Sequence, residues 1–285
     1  MTVPKRLTVF THGYSEETRP AVDALIDAAS KAGVEVLIPA AELEKHRIEE
    51  RPGCRVGTHP SDDTDVAVVF GGDGTILTAL RSCAPSKAPV FAFNFGAIGF
   101  LSTVEREQLD DGIDRLLTGR YETLRMPALA VDIDGETRIG VNDISLHRRA
   151  NDRVALLAYS VRDDQLGRVR CDGVVAATPV GSTGYNLANG GPILAWGVEG
   201  YVVSFIAPHT LTARALVVAP DDHLTVQNMS DRDAVEVTTD NRPVAELPPG
   251  GELEVRFVHD QVRLAQVEGA NFYHRIREKF GRLAY

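Results

Sequence analysis

The sequence predicts an α/β domain with a parallel sheet, followed by a β-rich domain. In the first part of the chain, short apolar strands alternate with helical patterns, which is typical of a parallel sheet covered by helices. After about residue 122 the pattern changes to successive strands, and Asp134-Gly135 marks a two-residue hairpin between alternating runs. We therefore expect an α/β domain over residues 1–124, a β-rich domain over residues 125–268 and, over residues 269–285, a helix that packs back on the α/β domain.

Helical patterns and apolar strands alternate in the predicted α/β domain. Residues 20–33 carry apolar side chains at helical spacing, with Pro20 near the start and Gly33 as the stop signal. A second helical pattern begins at Ile76, and a third ends at Gly119. The strands are short apolar runs at residues 6–10, 34–40, 64–70 and 88–96.

The predicted β-rich domain contains short runs of β-branched and aromatic residues separated by turn residues. Besides the hairpin, these runs lie at residues 154–162, 200–207, 215–220, 223–228, 234–240, 252–258 and 261–267. The helical pattern that follows them covers residues 271–280.

Composition and charge exclude several classes of protein. The hydrophobic and charged fractions, 44% and 25% of 285 residues, are ordinary for a globular protein, and no apolar run approaches the roughly 18 residues that cross a bilayer. The net charge of −10 and the lack of a basic cluster argue against nucleic acid and anionic membranes as partners.

Residues 1–13 lack a signal-peptide pattern, and Cys54, Cys83 and Cys171 have neither zinc-ligand nor disulfide spacing. We therefore expect a cytoplasmic protein.

The segment GGDGT (residues 71–75) lies between a strand that ends at Phe70 and the helical pattern that begins at Ile76. Its glycines permit a tight turn, and backbone N–H groups at the start of a helix bind anionic oxygens. It is neither a Walker A loop, because no Gly-Lys-Ser/Thr follows, nor a G-x-G-x-x-G dinucleotide fingerprint. The alternative is an ordinary βα turn in which Asp73 or Thr75 caps the helix.

Asp73 is unusual in a phosphate loop because a carboxylate repels phosphate. The repulsion is smaller if Mg²⁺ accompanies the phosphate groups, and the carboxylate then serves as the base for an attacking hydroxyl. On this interpretation the loop binds a triphosphate while Asp73 activates an alcohol.

Two further segments carry polar groups that suit a nucleotide. Residues 170–193 combine several glycines with hydroxyl and amide side chains and the aromatic ring of Tyr185. Their alternative is a glycine-rich connection between β elements. Asn142 and Asp143 lie in a strand-like run, where they form either a bulge or turn, or a site for ribose hydroxyls or a base.

Taken together, these segments resemble the NAD kinases. That family characteristically has GGDGT, then a segment like N-x-G-x-x-G-F-L, then an Asn-Glu or Asn-Asp pair, then a DG-x-x-x-x-TPTGSTAY segment that ends in GGP. Here the matching residues are GGDGT (71–75), NFGAIGFL (94–101), Asn142-Asp143 and DGVVAATPVGSTGYNLANGGP (172–192). The first motif also occurs in lipid kinases and phosphofructokinases, whereas the long glycine-rich segment is specific to the family.

The resemblance implies a Rossmann-like α/β domain, a β-sandwich-like C-terminal domain and an active site between them. It implies transfer of the γ-phosphoryl group of ATP to the 2′-hydroxyl of the adenosine ribose of NAD, forming NADP, with Mg²⁺ or Mn²⁺ accompanying ATP. Asp73 matches the family's proposed base, and Gly71, Gly72, Gly74 and Thr75 match its phosphate loop. The positions that match the family's NAD contacts are Asp73, Gly74, Asn142, Asp143, Arg153, Arg170, Asp172, Thr183, Gly184, Tyr185, Asn186, Ala188 and Arg242.

The sequence departs from the family pattern at four positions. Val180 stands where threonine is usual, Gly184 where alanine is common and Ala188 where serine is common. Asn241 follows Asp240 where glycine is usual, and asparagine tolerates a left-handed backbone better than most residues. These departures leave two choices open, ATP against polyphosphate as donor and NAD against NADH as acceptor.

Other functions remain open from the residues alone. A lipid or sphingoid-base kinase uses the same loop, but this sequence offers neither a basic patch nor an amphipathic anchor for a membrane. A non-catalytic nucleotide sensor is expected to have lost the base, and Asp73 is present. The resemblance also implies a homodimer or homotetramer built through the C-terminal domain.

The remaining candidate side chains are interpreted mainly as structural. Phe100 is either an adenine contact or a core anchor, and Trp196 and Phe205 are expected in a core or an interface. Four histidines are scattered without metal-ligand spacing and are expected to be structural or exposed: His147, His209, His223 and His274.

Overall fold

The computed structural model describes residues 3–59, 63–96, 99–268 and 272–281. The chain divides into two compact units: unit 1 comprises Met1–Arg125 and Val262–Tyr285, and unit 2 comprises Met126–Gln261. Outside the described residues lie two parts of the predicted motifs, residues 97–98 of NFGAIGFL and residues 269–271 and 282–285 of the C-terminal segment.

The first part of unit 1 alternates strands and helices. Its elements are β1 (Arg6–Thr11), α1 (Ser15–Ala32), β2 (Glu35–Pro39), α2 (Ala40–His46), β3 (Cys54–Thr58), β4 (Val66–Gly71), α3 (Asp73–Cys83), β5 (Val90–Asn94), β6 (Val104–Glu105) and α4 (Leu109–Leu117). The strand order is β3-β2-β1-β4-β5, and each pair of neighbours is parallel. From β1 the chain first adds β2 and β3 on one side and then adds β4 and β5 on the other side, so the strand order reverses between β1 and β4. Doubly wound sheets bind ligands at such a reversal, outside the carboxyl ends of the strands. The predicted Rossmann-like α/β domain is confirmed.

Burial explains why β4 lies at the centre of this sheet. Every residue of β4 is buried, as expected for a parallel strand covered on both faces. Phe70 of β4 stacks on Phe93 of β5 with ring centroids 5.0 Å apart. The continuous apolar run in the sequence therefore predicted a buried strand correctly.

The first helix begins earlier than the sequence pattern indicated. α1 starts at Ser15, so that Pro20 lies inside it. Its polar first turn contains Glu16 and Glu17, which favour a helix N-terminus electrostatically but show no apolar periodicity. The helix ends as predicted at Gly33, which has a φ of 70°. The short elements α2 and β3 were not predicted.

Unit 2 is built almost entirely of strands. The elements after α4 are β7 (Glu122–Ile133), β8 (Glu136–Gly140), β9 (Asp143–Arg148), β10 (Ala155–Val161), β11 (Asp164–Cys171), β12 (Gly173–Ala177), α5 (Tyr185–Ala188), β13 (Tyr201–Ile206), β14 (Leu216–Val218), β15 (Leu224–Asn228), β16 (Val235–Thr239), β17 (Arg242–Leu247) and β18 (Glu252–Gln266). The chain then returns to unit 1 with α6 (Phe272–Phe280).

Two groups of strands enclose the core of unit 2. One sheet has the order β14-β13-β12-β9-β16-β17 and is antiparallel throughout. In the other group, β11-β10-β15-β18 are antiparallel neighbours, and the β7-β8 hairpin pairs with β18. The core combines both groups, for example Leu146 and Val203 from the first with Leu157 and Val226 from the second. This arrangement confirms the predicted β-sandwich-like domain.

Turn chemistry accounts for one correct and one wrong prediction in unit 2. Asp134 and Gly135 form the predicted hairpin turn, with φ values of 51° and 80°. Residues 252–258 and 261–267, predicted as two strands, form the single strand β18. Asp260 takes a φ of 47° within it, so the polar pair before Gln261 is a local irregularity and not a turn between strands.

None of the helices in the described part of the chain is long and apolar enough to span a bilayer.

Candidate active site

The GGDGT segment lies at the carboxyl end of β4, beside the reversal of strand order in unit 1. β4 ends at Gly71, Gly72 is the N-cap of α3, and Asp73 is the first residue of that helix. The N–H groups in the first turn of a helix have no intrahelical acceptor, and they attract an anion. Gly74 is exposed, and a Cβ atom at this position would meet nothing within 4 Å, so the backbone here is open to a ligand.

Close contacts with a side chain and with the backbone explain the first two glycines of the segment. A Cβ atom at Gly71 would lie 2.6 Å from the Oγ1 of Thr75. A Cβ atom at Gly96 would lie 2.7 Å from the Cα of Gly72, so that the two chain segments touch at their glycines. The N–H of Phe95 also donates to the carbonyl oxygen of Gly71 at 3.1 Å. The phosphate loop predicted from the sequence therefore packs directly on the turn that follows β5.

Both oxygens of Asp73 accept backbone hydrogen bonds from the 99–101 segment. The N–H of Phe100 donates to Oδ2, and the N–H of Leu101 donates to Oδ1, each at 3.0 Å. The carboxylate is therefore oriented by the GFL residues and not by the first turn of its own helix. This overturns the interpretation of Asp73 as a helix cap.

Asn94 binds the residues that directly follow β5. Asn94 is buried at the end of β5, where its Oδ1 accepts the N–H of Gly96 at 3.0 Å. Its Nδ2 donates to Glu105 at 2.7 Å. The asparagine of the NFGAIGFL motif thus has a structural role in unit 1.

Phe100 is a core anchor. Its ring is buried, and the ring centroids of Phe272 and Phe280 in α6 lie 6.2 Å and 5.9 Å from it. The alternative interpretation, an adenine contact, finds no support in this packing.

In unit 2, Asn142 and Asp143 form the turn from β8 into β9. The carboxylate of Asp240 accepts the N–H groups of Val141, Asn142 and Asp143 at 3.1, 2.7 and 3.2 Å. Asp240 and Asn241 have φ values of 46° and 60° and form the turn between β16 and β17. Asn241 therefore adopts the left-handed conformation that its replacement of glycine required.

The Asp143 carboxyl group is buried in this turn. Burial, reinforced by the negative charge of Asp240, raises the pKa of Asp143 to about 7. Near neutral pH the group exchanges between its two protonation states, so it is able both to donate and to accept a hydrogen bond.

The glycine-rich segment packs against the same turn. A Cβ atom at Gly181 would lie 2.0 Å from the carbonyl oxygen of Asn142, so only glycine fits there. The hydroxyl of Thr178 donates to the carbonyl oxygen of Val141 at 2.7 Å and accepts the N–H of Gly181 at 3.1 Å. The structure thus brings together two segments that the sequence separates.

Two buried amide oxygens of these segments have no hydrogen-bond donor among the described residues. The Nδ2 of Asn186 donates to the carbonyl oxygens of Ser182 and Pro192 at 2.9 and 3.0 Å. Within the described residues, the Oδ1 atoms of Asn142 and Asn186 are buried and accept no hydrogen bond. Buried polar atoms are normally paired, so these oxygens suit a ligand that supplies hydroxyl or amine donors.

Tyr185 and Asp172 extend the polar surface around Asp143. Burial, followed by the charges of Asp143 and Asp172, raises the pKa of Tyr185, whose side chain remains partly exposed. The Nε of Arg148 donates to the Oδ1 of Asp172 at 2.6 Å, and this hydrogen bond lowers the pKa of Asp172. Asp172 is therefore ionised at neutral pH and able to accept hydrogen bonds from hydroxyl groups.

The other predicted NAD contacts lie partly in the same glycine-rich segment and partly elsewhere in unit 2. Arg153 and Arg170 line a cavity of about 160 Å³ together with Arg232. Arg242 is exposed and follows directly on the Asp240–Asn241 turn. Thr183 is half-buried in the 3₁₀ turn, and two predicted contacts are exposed beside it: Gly184 and Ala188.

Sequence reasoning missed three groups that hold these residues in place. Asp240 carries a weak signal, because it belongs to the unusual Asp-Asn turn pair. The N–H groups of Phe100 and Leu101 are backbone groups, and the sequence motif to which they belong indicates only side chains. No local sequence pattern marks Arg148, because its partner Asp172 lies 24 residues further along the chain, between β11 and β12.

Other titratable side chains lie outside these clusters. In the described ranges, no group of three or more His, Cys, Asp or Glu side chains is placed to hold a metal ion. Burial raises the pKa of the Cys83 and Cys171 thiols to about 12, which makes them unreactive at neutral pH. Of the four histidines named from the sequence, three lie within 4 Å of a glutamate: His147, His223 and His274.

Sequence models of two domains match the chain. The ATP-NAD kinase N-terminal domain matches residues 25–121, and the ATP-NAD kinase C-terminal domain matches residues 141–267. An NAD kinase from Caldanaerobacter subterraneus subsp. tengcongensis is 30% identical over 270 residues, which cover 93% of each chain. The chain belongs to the ATP-NAD kinase family.

Two solved structures share the fold of this ATP-NAD kinase family member. Yeast NADH kinase complexed with NADH has a TM-score of 0.86 at 24% identity and covers 100% of this chain and 91% of its own. An NAD kinase from Archaeoglobus fulgidus in complex with ATP has a TM-score of 0.73 at 24% identity and covers 97% of both chains. Family membership confirms the resemblance seen in the motifs and makes the protein a phosphotransferase, which sets the lipid-kinase hypothesis aside.

Proposed function

We propose that this protein transfers the γ-phosphoryl group of ATP to the 2′-hydroxyl of the adenosine ribose of NAD, forming NADP and ADP. The observation that carries the assignment of roles is the orientation of Asp73. Each of its oxygens accepts one backbone N–H, and a carboxylate oxygen has a second lone pair for a hydroxyl proton. In the reaction the ribose oxygen bonds to the γ-phosphorus, the bond to the ADP oxygen breaks, and Asp73 takes the hydroxyl proton.

The glycine loop is proposed to bind the phosphates of the donor. Gly71, Gly72, Gly74 and Thr75 surround the N-terminus of α3, where backbone N–H groups and the helix dipole favour phosphate oxygens. The donor is proposed to be the complex of ATP with Mg²⁺ or Mn²⁺. Such a cation keeps phosphate and water ligands and needs few protein ligands.

The dinucleotide is proposed to bind to unit 2. Asn142 and Asn186 offer buried amide oxygens to hydroxyl or amine groups, and Asp172 offers an ionised carboxylate. The ring of Tyr185 is exposed enough to contact a base, and Asp143 is the neighbouring group that donates or accepts. The other proposed contacts are Arg153, Arg170, Thr183, Gly184, Ala188 and Arg242.

Product analysis with purified protein tests this function. The protein is incubated with γ-labelled ATP and Mg²⁺ in the presence of NAD, NADH, adenosine or diacylglycerol, and products are separated by chromatography. We expect label in NADP, and no label when EDTA removes the cation. Label in lipid, in adenosine or in a 3′-phosphate isomer would contradict the assignment. Replacing ATP by polyphosphate in the same assay decides the donor, and comparing NAD with NADH decides the acceptor.

We also propose a cytoplasmic homodimer or homotetramer whose interface lies on unit 2. Large apolar side chains are exposed along this unit, including Leu166, Val198 and Leu211. Leu216 and Val217 are exposed on β14, which is the edge strand of the six-stranded sheet. An apolar edge strand with unpaired N–H and C=O groups is normally covered by another element or another chain.

A further inference from the structure

The Phe100–Leu101 peptide group of unit 1 is hydrogen-bonded to a charged side chain at each of its two ends. The carbonyl oxygen of Phe100 accepts a hydrogen bond from the Nη1 of Arg275 at 2.7 Å. The N–H of the same peptide group, which belongs to Leu101, donates to the Oδ1 of Asp73 at 3.0 Å. Arg275 thus acts on Asp73 through one peptide group.

Arg275 is fixed in this position. Its side chain is buried, and its Nη2 donates to the Oε1 of Gln266 at 2.6 Å. Burial lowers the pKa of Arg275, and the carboxylates of Asp73, Glu105 and Glu278 oppose that drop. The guanidinium is therefore within electrostatic range of Asp73 while it contacts the backbone that binds Asp73.

The surrounding packing holds the 99–101 segment to α6 as well. The ring of Phe100 lies against Phe272 and Phe280, which stand on either side of Arg275 in the same helix. α6 therefore contacts this segment through aromatic rings and through a charged hydrogen bond. Charge-assisted hydrogen bonds are stronger than neutral ones, and hydrogen bonds in a chain polarise one another.

We propose that Arg275 is a positioning residue for phosphoryl transfer: it polarises the Phe100–Leu101 peptide and so holds the carboxylate of Asp73 in its reactive orientation. This inference rests on the proposed role of Asp73 as the base. A guanidinium that is hydrogen-bonded to the carbonyl oxygen strengthens the hydrogen bond from the N–H at the other end of the same peptide to Asp73. Arg275 itself does not touch a substrate in this assignment.

The test compares Arg275→Met with Arg275→Lys and with Arg277→Met. Arg277 is the matched control, because it lies on the same helix, is exposed and contacts His274. We expect Arg275→Met to lower kcat at least about 10-fold, since a displacement of about 1 Å can cost about 100-fold, and to leave the KM values for NAD and ATP within about twofold. Arg275→Lys keeps the charge and should lose less, and Arg277→Met should keep the wild-type kcat.

A second arm separates positioning from a merely structural role. In an Asp73→Asn background, Arg275→Met should cause no further loss of kcat, because the group that it positions is gone. A folded Arg275→Met enzyme with wild-type kcat, or a loss that is equal in both backgrounds, would overturn the inference. If Arg275→Met does not fold, the same comparison with Arg275→Lys decides. An Asp73→Asn enzyme with normal turnover would instead contradict the proposed base itself, which keeps the two failures apart.

Discussion

Replacing Asp73 by asparagine removes the proposed base while keeping the size of the side chain. In the wild type each carboxylate oxygen accepts one N–H at 3.0 Å, from Phe100 and from Leu101. In the variant one of these oxygens becomes an NH₂ group that faces a donor. A lost hydrogen bond to a charged acceptor costs about 2 kcal/mol, which we expect as the decrease in the free energy of unfolding. The loss of the base should lower kcat by about 10²–10⁴-fold and should change the affinity for NAD far less.

Asp65→Asn is the matched control for this experiment. The Oδ2 of Asp65 accepts the N–H groups of Lys5 and Arg6 at 2.8 and 2.9 Å, in the same unit but away from the glycine loop. Initial rates of NADP formation are measured for the wild type and both variants at saturating ATP and NAD, and thermal unfolding is followed in parallel. A folded Asp73→Asn enzyme with wild-type kcat would refute the role of the base. An equal loss of kcat in Asp65→Asn would show that the effect comes from the fold and not from the reaction.

Three further predictions concern unit 2. Because the pKa of Asp143 is raised to about 7, its folded form keeps a proton that the unfolded chain has lost, so the wild type should lose stability relative to Asp143→Asn as pH rises from about 4 to about 7. Denaturant titrations across this range check the sign, and a constant difference would contradict it. Gly181→Ala places a Cβ atom 2.0 Å from a backbone oxygen and should lower the Tm and raise the KM for NAD about 10-fold, whereas Gly197→Ala, where a Cβ atom meets nothing within 4 Å, should change neither. Equal behaviour of these two variants would rule out the packing explanation. Leu216→Asp combined with Val217→Asp should convert the proposed oligomer into a smaller species in light scattering, and a wild type that is monomeric and fully active would refute the proposed oligomer.

The fold could be predicted largely because its signals are local. A parallel strand buried on both faces appears in the sequence as a continuous apolar run, as in β4, and a type I′ turn appears as Asp134-Gly135. The single strand β18 could not be predicted from such signals. Its polar centre resembles a turn, and only the pairing of both its ends within sheets keeps it continuous.

The candidate site was predictable at the level of segments but not of contacts. GGDGT and the glycine-rich segment are recognised by composition, because close backbone approach needs glycine wherever it occurs. The partner of Asp73 lies 27 residues along the chain, and the carboxylate that organises Asn142 lies 98 residues away. No local pattern specifies such a pair, since each side chain is ordinary for the turn in which it lies.

The geometry of unit 1 also explains how a carboxylate is tolerated in the proposed phosphate loop. At the N-terminus of α3 the helix dipole favours negative charge, whether it belongs to Asp73 or to a phosphate. Asp73 takes its hydrogen bonds from the 99–101 segment and therefore does not occupy the N–H groups of the first turn of its own helix. The N–H groups at the start of α3 thus stay available to a phosphate. The repulsion between the carboxylate of Asp73 and the phosphate would then be felt mainly when the γ-phosphoryl group approaches. In the proposed reaction, a divalent cation held by the phosphates would reduce that repulsion, and so would the proton that Asp73 would take from the ribose hydroxyl. On the proposed mechanism, the position of Asp73, which looks unfavourable in the sequence, is therefore unfavourable only until both substrates are bound.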